Sequence, residues 1–124
     1  MEFKKEFTAA IVIIGNEILS GRTVDKNTSF IASWLNNKGV NVEEVRAIPD
    51  KENVIISTVN ELRRKFGYVF TTGGIGPTHD DITSESISKV FNQKYQYHPE
   101  AYKALEEYYK NSDFNEGRKK MAKM

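Results

Sequence analysis

Apolar and polar positions alternate along this chain in blocks that predict strands and helices in turn. Thr8 to Ile14 is a continuous apolar run ending at Gly15, the pattern of a strand covered on both faces. A polar loop, Asn16 to Lys26, leads into a helix over Asn27 to Asn37. In it Phe30, Ile31, Trp34 and Leu35 share one stripe, and Gly39 closes the element. Val40, Val42 and the run Val45 to Ile48 predict a second, more polar strand near a sheet edge. Pro49 and Asp50 interrupt the pattern. Asp50 is placed to cap a second helix in which Val54, Ile55, Val59, Leu62 and Phe66 face inward. Tyr68 to Thr72 is the third strand. A third helix runs over Ser84 to Phe91, with Thr83 as its N-cap and Ile87, Val90 and Phe91 as its buried side.

Strands alternating with helices imply an α/β fold with parallel strands and right-handed crossovers. The end of the chain departs from that rhythm. His98 leads into a helix from Pro99 whose Tyr102, Leu105, Tyr108 and Tyr109 share a face, with a break near Asp113 and a basic tail through Met124. Three strands make a poor sheet for a fold that buries both faces, so residues 1–124 read as a single, incomplete domain. Such a chain is a fragment or completes its core with another subunit. Uncovered edges and faces predict a homo-oligomer.

Composition removes several function classes. Hydrophobic content of 39% with 28% charged residues is that of a globular chain, not a disordered one. A formal net charge of +1, with Lys and Arg scattered, offers no bulk attraction to nucleic acid. No apolar run approaches a membrane span, and the start Met1-Glu2-Phe3-Lys4-Lys5-Glu6 has no signal-peptide core. The absence of cysteine excludes disulfides and thiolate chemistry, and cytoplasm is the default location.

The chemistry concentrates in Tyr68-Val69-Phe70-Thr71-Thr72-Gly73-Gly74-Ile75-Gly76-Pro77-Thr78-His79-Asp80-Asp81-Ile82-Thr83. A buried strand runs into glycines, a proline, paired carboxylates and a helix start. Glycine lets backbone N–H groups approach a ligand and adopt positive φ. The helix start adds unpaired N–H groups and a positive dipole end, so an anion such as phosphate is the natural occupant. The spacing is neither that of a P-loop nor the dinucleotide G-x-G-x-x-G. Asp80 and Asp81 suit a metal riding on a phosphate, or a proton transfer beside it; either acid would also engage the helix dipole. Asp81 is the stronger chemical candidate. Glu17, just after the first strand, suits a metal or a ribose hydroxyl, or is a solvated loop acid. Asp50 is a ligand or metal group, or a cap alone. Asn27 and Thr28 stand where they would cap the first helix or touch the ligand. Glu85 is a dipole-favourable acid, and His79 has no second histidine to share a metal. In parallel sheets, ligands sit outside the carboxyl ends of strands, where these loops meet.

On these residues the sequence resembles the molybdopterin-binding family typified by MoaB and Mog, in the branch that forms the N-terminal domain of competence/damage-inducible protein A. The matching pieces are Ile14-Gly15-Asn16-Glu17-Ile18-Leu19-Ser20-Gly21, Asp25-Lys26-Asn27, Ile48-Pro49-Asp50, Thr71 through Thr83, and Phe114-Asn115-Glu116-Gly117-Arg118-Lys119-Lys120-Met121. The resemblance implies a three-layer α/β/α domain with a mostly parallel sheet. It implies that Gly73, Gly74 and Gly76 cradle a phosphate-bearing ligand, with Gly15, Glu17, Asn27, Thr72, Pro77, Thr78 and Thr83 around it. It places the family's two functional aspartates at Asp50 and Asp81; Asp80 and Asp81 stay the candidate metal ligands on their own chemistry. The implied ligand is molybdopterin or a nucleotide, a small phosphorylated molecule accompanied by Mg²⁺ or another divalent ion. The implied chemistry is adenylyl transfer to molybdopterin or cleavage of ADP-ribose-like pyrophosphates. The chain departs from the family where the first loop usually reads Gly-Asp-Glu, since position 16 is Asn, and it ends before the family's final strands and proline-glycine loop.

Overall fold

The computed structural model describes residues 3–124. Its centre is β1 (Thr8–Ile14), in which all seven residues are buried. β2 (Asn41–Ile48) and β3 (Tyr68–Thr72) flank it, both parallel to it, in the order β2-β1-β3. A strand with neighbours on both sides and helices above and below favours apolar side chains, which explains the uninterrupted apolar run Ala9 to Ile14 after the hydrogen-bonded Thr8. The two edge strands carry mixed sequences, as their one-sided pairing permits.

The chain passes from β1 to β2 through α2 (Asn27–Asn37), then back past β1 to β3 through α3 (Glu52–Lys65). Right-handed crossovers in opposite directions put α2 and α3 on opposite faces of the sheet, giving three layers. On one face Ala10, Val12 and Ile14 meet Ile48 and the inner side of α3, Ile55, Val59 and Leu62. Ile55 and Leu62 are fully buried, each contributing about 1.5–3 kcal/mol relative to exposure. Val54, Phe66 and Val69 pack against this cluster, as do Ile82, Ile87 and Val90 around α4 (Thr83–Val90). α3 ends at three basic residues, Arg63, Arg64 and Lys65, which complement its negative end.

Several expectations change. The loop after β1 contains a one-turn helix, α1 (Asn16–Leu19). The aromatic stripe of α2 does not face the core: Leu35 is buried, but Phe30 is 72% exposed and Trp34 53%. Periodicity marks a stripe, not what covers it. Phe91 lies just past α4 and is half exposed. Asp50 does not cap α3, whose N-cap position is Lys51; its carboxylate turns to the first loop instead. Thr83 is the first residue of α4 rather than its cap.

Beyond α4 the chain folds back on itself. His98 caps α5 (Pro99–Tyr108) by accepting the Ala101 N–H at Nδ1, 3.3 Å. Asn115 caps α6 (Glu116–Lys120) in the same way. Tyr102 sits between Tyr97 and Phe114, ring centroids 5.2 and 5.3 Å away, while Tyr108 is exposed. Gln96 and Met124 exchange backbone hydrogen bonds around an antiparallel bridge of Tyr97 with Lys123, and Ala122 is wholly buried. The basic tail therefore returns to the sheet's carboxyl edge.

Candidate functional site

Register decides which loops meet. Ile14 pairs with Ile48, and Ile13 with Thr72, so the three strands end level and Gly15, Asp50 and Gly73 leave the sheet side by side. The first two loops are tied by a reciprocal pair: Asn16 N–H donates to Asp50 Oδ2 at 3.2 Å, and Asp50 N–H donates to Asn16 Oδ1 at 3.3 Å. A neutral amide at position 16 makes this contact without placing a second carboxylate against Asp50. The Glu17 carboxylate folds back over Gly15, where a Cβ would lie 2.5 Å from it and displace that side chain.

The glycine loop is shaped by close approach. Gly73 has φ 87° and Gly74 φ 69°, left-handed values that other residues rarely adopt. A Cβ on Gly73 would lie 2.0 Å from the Ile14 carbonyl oxygen, and one on Gly74 would lie 2.1 Å from Thr83 Oγ1. Thr83 locks the turn: its hydroxyl donates to Gly73 O at 2.9 Å and its N–H to Gly74 O at 3.0 Å. The hydroxyl that its sequence position suggests for capping the helix serves the loop instead.

Asp81 closes the far side. Its Oδ2 accepts the Thr78 N–H at 2.9 Å and the Thr78 hydroxyl at 2.7 Å. Partial burial pushes its pKa up, but the Thr78 bonds, a Gly76 backbone bond and the charge of Lys120 outweigh that, leaving it below the ordinary aspartate value. Asp81 is therefore an anion that organises the loop. Asp80 behaves differently: its side chain is exposed and lies 3.1 Å from that of His79, which is exposed too.

Two of the cavities beside the loop take in the expected site residues of its two sides. One, of about 200 Å³, is lined by Gly74, Gly76, Asp81, Ser84, Tyr95 and Lys120 among others. The other, of about 240 Å³, takes in Glu17, Asp25, Asn27, Thr72 and Gly73. The expected site residues are thus brought to one edge but divided between two hollows. Asp50 and Gly15 anchor the first loop, while Pro77 and Thr78 form the rim beside Asp81. Lys120 carries no signal in the sequence as a site residue, because nothing local ties the tail to a loop about forty residues earlier; Ser84 follows the loop directly at the start of α4, and Tyr95 lies just beyond that helix. Burial raises the Tyr95 phenol above its ordinary pKa, keeping it a neutral hydrogen-bonding group. Asp25 accepts from the Asn27 N–H at 3.1 Å and the Thr28 N–H at 3.4 Å, fixing the start of α2.

Among the described residues, no three His, Cys, Asp or Glu side chains gather as a metal cage. A standing protein-only metal site does not fit this arrangement. Mg²⁺ arriving on a phosphate does, since it commonly takes one or two carboxylates and keeps the rest of its shell from phosphate and water.

Comparison with known proteins decides the family. Residues 10–121 match the family described as probable molybdopterin binding domain. The chain belongs to the molybdopterin-binding domain family. Within it, the crystal structure of protein CinA from Thermoplasma acidophilum superposes with a TM-score of 0.90 at 31% identity, covering 98% of this chain and 72% of that one. A CinA-like protein of Flavobacterium psychrophilum is 44% identical over 86 residues, 69% of this chain and 21% of the relative. The molybdopterin biosynthesis enzyme MoaB of Thermus thermophilus shares the fold, with a TM-score of 0.64 at 19% identity over 80% of this chain and 62% of that one. The chain spans less than half the length of the curated relatives it matches, 45% of one from Archaeoglobus fulgidus at 38% identity. The three-layer molybdopterin-binding fold expected from the motifs is the fold found. No helix among the described residues is long and apolar enough to cross a membrane.

Proposed function

We propose that this domain binds the phosphate-bearing end of a nucleotide or pterin pyrophosphate, with a divalent ion carried in by the ligand. One observation carries the reading. The Gly73–Gly76 turn is forced open by two left-handed glycines, pinned by Thr83 and Asp81, and stands at the start of α4 beside a cavity of about 200 Å³. Backbone N–H groups near a helix N-terminus, on a loop too short of side chains to block approach, are suited to phosphate oxygens. The second cavity, with Glu17 and Asn27, offers hydrogen-bonding groups for the ribose or pterin end. When bound, Mg²⁺ would offset charge on the pyrophosphate, and Asp81 and Asp80 are the loop's carboxylates that would hold it.

The same arrangement serves two outcomes. Cleavage of an ADP-ribose-like pyrophosphate needs a carboxylate to orient water, and Glu17 in the second cavity has that role open to it, since Asp25 is committed to the start of α2 and Asp81 to Thr78. A binding module would need no such group. Isothermal titration of ADP-ribose and ATP, with and without Mg²⁺, should give saturable binding that Mg²⁺ strengthens. Silence with both ligands under both conditions would reject the reading. Release of AMP with Mg²⁺, Mn²⁺ or Co²⁺ would make the domain a hydrolase; binding without release would make it a binding module.

A further inference from the structure

Lys120 lies outside every segment that periodicity connects to the glycine loop, yet it reaches the loop's rim. Its ammonium donates to the Thr78 carbonyl oxygen, on the opposite side of the residue whose N–H and hydroxyl are held by Asp81. The approach is built into the backbone. A Cβ on Gly117, one turn earlier in α6, would lie 2.5 Å from the Pro77 carbonyl oxygen, so α6 seats on the loop only because that residue is glycine. The following residues are fixed by the buried Ala122 and by the Gln96–Met124 exchange. Lys120 is therefore a positioned cation, with two of its three ammonium donors left over from Thr78, and it lines the same cavity as Gly74, Gly76, Asp81 and Ser84.

Charge gives that position a purpose. Asp81 is an anion at the mouth of a cavity meant for an anion, and by itself it would repel a phosphate. Lys123 also lines the cavity, but its ammonium lies 5.4 and 5.0 Å from the ring centres of Tyr95 and Tyr97. We propose that Lys120 is the specificity-determining cation of this cavity, neutralising the ligand's phosphate while holding the Thr78 corner in place. The proposal rests on the phosphate-binding reading above, and it names the residue that makes an acidic loop accept a polyanion.

The test is titration of inorganic pyrophosphate into wild type, Lys120→Gln and Lys120→Arg at about 50 and about 500 mM salt, with thermal midpoints recorded for each. Lys120→Gln should lose about tenfold in affinity at low salt, the scale of one charged hydrogen bond. It should also lose most of the wild-type salt dependence, and Lys120→Arg should recover both. A Lys120→Gln protein that binds within twofold of wild type overturns the inference and leaves the phosphate reading standing. One that binds weakly with wild-type salt dependence, unrescued by Arg, shows a structural tether and overturns it too. Wild type that binds no pyrophosphate overturns the inference, and silence with ADP-ribose and ATP as well overturns both readings.

Discussion

Gly73→Ala is expected to destabilise this domain by about 3 kcal/mol or more and to lower its thermal midpoint by about 10 °C. Two independent costs add. An alanine at φ 87° pays the left-handed penalty of about 1–2 kcal/mol. Its Cβ would also lie 2.0 Å from the carbonyl oxygen of Ile14, at the end of a strand that is buried throughout and cannot step aside. Gly39→Ala separates the two. Gly39 has φ 86°, but a Cβ there would meet nothing within 4 Å, so only the conformational cost applies. The two variants should differ by about 2 kcal/mol in chemical denaturation. Equal losses would show that the glycine loop is not clamped against β1.

Asp81→Asn is expected to weaken nucleotide binding by about tenfold or more while costing about 1–2 kcal/mol of stability. The amide keeps the shape but loses the charge that holds both the Thr78 N–H and the Thr78 hydroxyl, so the loop that presents N–H groups to the ligand loosens, which outweighs the anion's own repulsion of phosphate. The pH dependence follows from the direction of the shift. Asp81 has a pKa lowered by folding, so it binds fewer protons folded than unfolded at mildly acid pH. Its contribution is fully present above the ordinary aspartate value of about 4 and fades as pH falls through the lowered folded value. Wild type should therefore be the more stable protein at neutral pH, and the two should converge in strong acid. A gap that stays constant to the acid limit would show that the carboxylate charge is not what orders the loop.

Much of this is legible in the sequence, and the limits have a common cause. β1 is readable because the consecutive buried positions Ala9 to Ile14 are all apolar, and the glycine loop because left-handed turns demand glycine. The family and its layered fold follow from the same residues. What stays hidden is long-range. Asp50 precedes a helix and looks like its cap, but its true partner is Asn16, 34 residues away, and only sheet register brings them together. Thr83 reads as a cap because a hydroxyl at a helix start can serve the helix or the loop before it, and here Gly73 O takes it. Asp80 and Asp81 are adjacent in sequence, yet Asp81 folds inward and Asp80 meets solvent. Lys120 reads as part of a basic tail until the tail's return to the sheet edge places it at Thr78. Phe30 and Trp34 form a genuine stripe whose cover no local pattern could name.

Whether the loop from Gly73 to Thr78 receives the phosphate end of the ligand is tested most directly by a two-dimensional amide spectrum of the assigned protein during titration with ADP-ribose and Mg²⁺. The largest shifts should fall on the N–H groups of Gly73, Gly74 and Ser84, with smaller ones at Gly76 and Thr78, whose N–H groups are held by Asp81, and at Glu17 and Asn27. Shifts confined to the exposed face of α2 around Phe30 and Trp34, or an unchanged glycine loop at saturating ligand, would contradict that role.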